Sequence, residues 1–249
     1  MLNLTLLRCG LLILLVVTAC STKDTVVQKK TVDETYAEAM SALADDDLTE
    51  ALSHFDVIKL QYPASKYADD AQYHIAEINF KRGEFVMAAY NFSVVRRSFP
   101  SSEWSKPSAY KVGECYEELM LPPDRDQEYA KKAIQAYTEF QQLYPTDSLA
   151  LLAVQRIHAI RNHLAQRFLI IAEHYVKTNS NRAALIYFQG LIDEYPDSDV
   201  LEDALIGKIN ALIQQQQYAE CKTTIEQYRR MIKEPKRIAE VQEIERNIP

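Results

Sequence analysis

Residues 133–145 read AIQAYTEFQQLYP, and the order of five of them decides the fold. Ala133, Tyr137, Phe140 and Tyr144 stand four, three and four residues apart, and Pro145 follows at once. Steps of four and three keep side chains on one face of an α-helix. Alanine at the first position lets a neighbouring helix come close, and the aromatic rings fill the space between helices. Proline cannot continue the helix and turns the residue before it away from helical geometry.

The same pattern occurs three more times. The aromatic before proline recurs as Tyr62, Phe99 and Tyr195, ahead of Pro63, Pro100 and Pro196. The alanine recurs as Ala51, Ala88 and Ala184, the first aromatic as Phe55, Phe92 and Phe188, and the next apolar residue as Ile58, Val95 and Leu191. A serine follows each proline (Ser65, Ser102, Ser148 and Ser198) and is expected to cap the next helix with its hydroxyl. The four copies lie 37, 45 and 51 residues apart. That spacing and the Ala-x₃-aromatic…Pro order resemble the second helix of a tetratricopeptide repeat with insertions. The fold class is therefore read as all-α, a tetratricopeptide-type α-solenoid of about five helix pairs.

The pairs are placed at 33–45 with 48–61, 66–81 with 84–98, 104–120 with 127–143, 147–178 with 180–194, and 198–216 with 218–233, closed by a helix at 236–247. Residues 147–178 hold no Gly or Pro. As one straight helix they would span about 48 Å, a spine between N-terminal repeats in 33–146 and C-terminal repeats in 147–249, with a kink near Asn162 as the variant form. In the fifth pair Ala219 is taken as the alanine, with Thr223 in the aromatic's place and Pro235 arriving late. Terminal repeats are expected to depart from the pattern because one face has no neighbour. Only five glycines occur in 249 residues, and no two are close enough for a phosphate-cradling loop.

The chain opens MLNLTLLRCGLLILLVVTACSTKD. A spanning helix needs about 20 apolar residues, and the run from Leu11 to Ala19 is shorter, the length of an export signal. Val17-Thr18-Ala19-Cys20 resembles the lipobox of bacterial lipoproteins, which implies cleavage after residue 19, acylation of Cys20 and a lipidated tether over 20–32. An ordinary signal peptide with a nearby cysteine is the plainer alternative. The small-small-Cys order at the end of the apolar run favours the lipobox. Ser21 follows the cysteine and resembles the outer-membrane sorting class rather than the retained one.

A cut there removes Arg8 alone among the charges, leaving 27 basic against 35 acidic residues. That sign argues against a nucleic-acid partner. Cys115 and Cys221 are too few and too far apart for a disulfide scaffold, and are expected as separate buried thiols. His54, His74, His158, His163 and His174 show no zinc-helix spacing. Arg125-Asp126 reads as a loop meeting a helix, with Asp126 as its N-cap. No nucleophile motif is present, and no cofactor or metal is expected.

A lipobox, a short tether and five such repeats resemble the BamD family of outer-membrane lipoproteins. The more specific likeness lies in PPDRDQEYAKKAIQAYTEFQQLYPTDSLALLAVQRIHAIRNHLAQRFLIIAEHYVK, residues 122–177. The resemblance implies a role in β-barrel assembly at the periplasmic face of the outer membrane, in company with other lipoproteins of that complex. It implies that N-terminal repeats meet unfolded barrel-protein segments and that C-terminal repeats dock on BamA-like periplasmic domains. Many relatives carry a basic residue where Tyr187 stands here, which puts any contact made by that residue in doubt.

A solenoid presents an inner face lined by the first helix of each pair. Tyr36, Tyr73, Glu77, Tyr110, Glu114 and Glu117 are the candidate groove residues on that face, weighed against simple packing between helices. Rigid rings with a hydroxyl suit an extended peptide. The rival functions are another tetratricopeptide envelope scaffold, in division or peptidoglycan synthesis, and a peptidoglycan-acting enzyme.

Overall fold

The computed structural model describes residues 30–249. Eleven helices follow one another without strands among the described residues: α1 (Val32–Ala44), α2 (Leu48–Gln61), α3 (Ala68–Lys81), α4 (Phe85–Ser98), α5 (Ser105–Glu118), α6 (Glu128–Leu143), α7 (Ser148–Lys177), α8 (Asn181–Glu194), α9 (Leu201–Gln214), α10 (Tyr218–Met231) and α11 (Ile238–Asn247). Each helix packs chiefly on its sequence neighbours, as a solenoid requires. The five antiparallel pairs are α1/α2 through α9/α10.

The repeat columns are the core. Ala51, Ala88, Ala133 and Ala184 are fully buried, as are Ile58, Val95, Phe140 and Leu191. Phe55, Phe92, Tyr137 and Phe188 lie between the helices, and burying each such ring contributes about 2–3 kcal/mol. Tyr62, Phe99, Tyr144 and Tyr195 end their helices in one shared conformation, with φ from −132 to −130° and ψ from 48 to 58°. Each of their N–H groups donates to the carbonyl four residues back at 2.9 Å.

The serines do not cap as expected. The hydroxyls of Ser65 and Ser198 are buried without a partner, and the helices start later, after Tyr67, Trp104 and Val200. The reason is a backbone device. Ser65 N–H donates to Tyr62 O at 3.0 Å and Ala68 N–H to Ser65 O at 3.2 Å. The same two tight turns recur through Ser102 and Ser198, so the serine's carbonyl meets the next helix. Only Ser102 also uses its hydroxyl, accepting from Trp104 N–H at 3.1 Å. In the third interval Asp147, not Ser148, is the N-cap, accepting from Leu149 N–H at 2.9 Å. Asp126 likewise sits one residue before the N-cap, Gln127, although its carboxylate takes Glu128 N–H at 2.8 Å.

The turn inside a pair needs one residue with left-handed backbone. Asp46, Gly83, Asn179 and Gln216 supply it, with φ between 56 and 74°. At each, the next residue donates to a carbonyl five residues back: Asp47 to Ala42, Glu84 to Asn79, Ser180 to Tyr175 and Gln217 to Leu212. The third pair replaces this turn with the loop at 120–127. Gln127 Nε2 holds that loop by donating to the carbonyls of Pro122 and Arg125 at 2.8 and 3.0 Å. From α7, His163 bonds Leu121 O at 2.8 Å and Arg167 donates to Pro123 O at 3.1 Å.

The spine α7 is one continuous helix of 30 residues. The fifth pair has a different register from the one expected. Ala219 is exposed, while Cys221, Ile225 and Tyr228 are buried. Ile232 then donates to Tyr228 O at 2.9 Å. The 4-3-4 spacing is therefore intact at 221, 225, 228 and 232, with cysteine in alanine's place. Cys115 and Cys221 are both free and buried.

Candidate binding surface

The candidate tyrosines stand 37 residues apart, in the first helices of the first three pairs. Tyr36 stacks on Tyr67 with centroids 4.0 Å apart and planes at 9°. One repeat on, Tyr73 stacks on Trp104 at 4.1 Å and 19°. Each ring thus lies against the aromatic that begins the next repeat, and each is half-buried. Tyr110 has no such partner. It is 4% exposed, with its ring near Tyr137 at 5.2 Å and Phe140 at 5.4 Å.

Carboxylates organise the polar side of this row. Asp33 Oδ1 accepts from the Tyr67 hydroxyl at 2.8 Å. In the next repeat Asp70 Oδ1 accepts from the Trp104 indole N–H, and Oδ2 accepts from the Tyr36 hydroxyl at 3.1 Å. Asp70 therefore joins three successive pairs. Glu77 and Glu114 flank Lys111 Nζ at 3.7 and 3.1 Å. Glu117 takes the Tyr137 hydroxyl at 2.7 Å and Arg156 of α7 at 3.1 Å.

Burial pushes the Tyr73 hydroxyl up to about 12, helped by the negative charge of Glu77. Burial and the Asp70 charge push Tyr36 up to about 12 as well. Both hydroxyls are therefore neutral donors at any physiological pH. Burial works against the charge on Lys111, but Glu114 and Glu77 outweigh it and hold the ammonium above its usual range. The surface is thus a half-buried aromatic row edged by carboxylates with one cation set between two of them, an arrangement suited to holding a partner chain.

Of the candidates, Tyr36, Tyr73, Glu77 and Glu114 fall along one row and Glu117 pairs with Arg156 of α7, whereas Tyr110 is buried in the core and does not line the surface. Sequence reading missed Trp104, Asp70, Lys111 and Arg156. Tyr67 with Trp104, and Asp33 with Asp70, repeat at the same 37-residue offset as the tyrosines, so the signal was present. Cys20 and Ser21 lie outside the described residues. Tyr187, where many relatives are basic, stacks on Tyr175 at 5.5 Å. Among the described residues no helix is long and apolar enough to cross a membrane.

A family model described as YfiO, outer membrane lipoprotein, matches residues 28–240. The chain belongs to that family. Similar curated proteins include an outer membrane protein assembly factor BamD of Pasteurella multocida, 24% identical over 76% of each chain. Its Vibrio cholerae counterpart is 25% identical over 81% of this chain and 88% of its own. One from Neisseria meningitidis is 25% identical over 77% and 78%. A solved tetratricopeptide-repeat protein of Bacteroides fragilis overlays with a TM-score of 0.47 at 12% identity, over 88% of this chain and 97% of that one. The family is described as an outer membrane lipoprotein, and these curated relatives are named as outer membrane protein assembly factors.

Proposed function

We propose that this chain is a lipid-anchored scaffold of the machinery that folds and inserts outer-membrane β-barrel proteins. What carries the reading is that relatives matched over about three quarters of the chain or more are outer membrane protein assembly factors. The anchor is Cys20, with Ser21 directing the protein to the outer membrane, where it faces the periplasm. Anchoring raises the effective concentration of the repeats around membrane-bound partners.

The N-terminal repeats, 33–146, receive unfolded barrel-protein segments along the row of Tyr36, Tyr73 and the Glu77–Lys111–Glu114 cluster. Half-buried rings offer apolar area, and the carboxylates leave acceptors at its rim. The C-terminal repeats, 147–249, dock on a BamA-like periplasmic domain, in company with other lipoproteins of the complex. Leu151, Val154 and Ile186 are exposed apolar residues of those repeats and offer surface to such a partner.

Depletion in cells tests the function: barrel proteins should fall in the outer membrane while other lipoproteins remain. Photocrosslinkers test the division of labour. Placed at Tyr73, a crosslinker should capture barrel-protein segments, and placed at Ile186 it should capture the BamA-like partner. Unchanged barrel levels on depletion would sink the proposal.

A further inference from the structure

Helix α4 is apolar on both sides. From Phe85 to Val95 it carries no charge. Ala88, Phe92 and Val95 face the core and are fully buried. The opposite side leaves Val86, Met87 and Tyr90 in water, 53, 52 and 60% exposed. Val86, Tyr90 and Arg97 follow one another at four and seven residues, so they form one stripe along the helix with Met87 beside it. Half-buried Val94 fills the stripe between Tyr90 and Arg97.

A helix that is apolar all round is normally covered on every side. The last pair shows the usual alternative, since α10 turns Lys222, Glu226, Arg229 and Arg230 to the water. Leu60, Leu143 and Ile186 are exposed too, yet each stands alone on its helix.

The chemistry of the stripe fits the boundary of a lipid bilayer. Val86 and Met87 supply apolar surface. Tyr90 has an apolar ring and a hydroxyl without a partner among the described residues, and tyrosine settles at headgroup level in membranes. Arg97 has no ion pair among the described residues and reaches lipid phosphate along its own apolar stem. The eleven residues from Val86 to Arg97 advance about 16.5 Å, so the helix lies flat when the whole stripe meets one surface.

The length of the tether puts a bilayer within reach. Lys30 is held beside α1 by Glu38 at 2.6 Å, and its carbonyl accepts from the Tyr62 hydroxyl at the end of α2 at 2.7 Å. It comes ten residues after Cys20, a span of at most about 36 Å. The pair α3/α4 is the next one along, with helices packed about 10 Å apart.

We propose that the exposed stripe of α4 is a membrane-docking surface, on which the anchored protein rests against the phospholipid bilayer. The proposal rests on the Cys20 anchor of the proposed function. Apolar burial drives the contact, and Arg97 orients it on headgroup phosphate.

The test is fluorescence quenching on the full acylated chain in phospholipid vesicles. Met87→Cys carries an environment-sensitive fluorophore, and Ala219→Cys, exposed on α10, carries it as the control. Cys115 and Cys221 are buried and leave the label to the new site. Emission at 87 should shift to the blue and be quenched by nitroxide-labelled lipid, since an interfacial helix sits about 5–10 Å into the headgroup–acyl boundary. The label at 219 should keep its solvent emission. In V86S/Y90S the label at 87 should lose both signals, while the chain still floats with the vesicles and keeps its circular dichroism. Solvent-like emission at 87 on floating chains, the result a protein-covered stripe would give, overturns the inference and leaves the anchor standing. Equal quenching at 87 and 219, or unaltered quenching in V86S/Y90S, does the same. A chain that does not float removes the anchor and this inference with it.

Discussion

Trp104 and Asp70 tie the third helix pair to the second. The indole N–H donates to Asp70 Oδ1, while the same carboxylate takes the Tyr36 hydroxyl from the first pair. The Trp104 ring meanwhile covers Tyr73. One side chain thus supplies both a hydrogen bond and a stacked surface at the junction between repeats. Trp104→Phe keeps a ring over Tyr73 and loses the bond to Asp70, at a cost of about 1–2 kcal/mol. Trp104→Ala loses both, at about 2–4 kcal/mol. Urea unfolding followed by circular dichroism checks the order, and equal costs for the two variants would refute it.

Gly113 faces the buried ring of Tyr137. A Cβ there would sit 2.6 Å from Tyr137 Cε1, and the ring is held at its far end by Glu117. Gly113→Ala should therefore destabilise by about 1–3 kcal/mol even though alanine favours the helix. At Gly83 the cause is different. Nothing lies within 4 Å of an added Cβ, but φ is +74°. Gly83→Asn should be far milder than Gly83→Val, because asparagine tolerates that backbone. Thermal melts of the three variants would test both statements.

His74 lies over Phe55, with ring centroids 5.0 Å apart. Burial lowers its pKa; the Asp70 charge pulls upward and Lys81 downward, and the net direction is down. Folding therefore favours the neutral imidazole. The unfolded chain takes up a proton at a higher pH than the folded one. Stability contributed by this group is present above the ordinary histidine range and lost as pH falls through that range towards the folded value. Denaturant midpoints should drop between about pH 7 and pH 5, and His74→Leu should flatten that part of the curve. An unchanged slope in the variant would rule His74 out as its cause.

The helix pairs were legible because apolar columns and proline stops act within one helix. Ala133, Tyr137, Phe140 and Tyr144 state their face and their end within twelve residues. The starts of the first helices were less legible. Serine after proline has a good hydroxyl for capping, yet the backbone at Ser65 and Ser198 closes two tight turns first and leaves that hydroxyl unused. The candidate row was read from tyrosines and glutamates of the first helices alone. Their partners Trp104 and Asp70 lie on neighbouring repeats, so only the 37-residue offset links them.

The fifth pair supplies the sharpest test of the repeat. Matching by residue type placed Ala219 in the column, but burial places Cys221 there, followed by Ile225, Tyr228 and Ile232. Alanine fills that position in the other four pairs, so Cys221→Ala should cost less than about 1.5 kcal/mol, the removal of one buried sulfur. Cys221→Leu should cost more, because added bulk separates two closely approaching helices. Ala219→Leu, at an exposed position, should be within about 0.5 kcal/mol of wild type. Thiol titration gives an independent reading. Burial pushes Cys115 up to about 12 and Cys221 above its ordinary range, so neither should react with a water-soluble disulfide reagent in the native protein. Both should react after denaturation. Fast native reaction at Cys221, or a large penalty for Ala219→Leu, would return the register to Ala219 and remove the fifth repeat from the pattern.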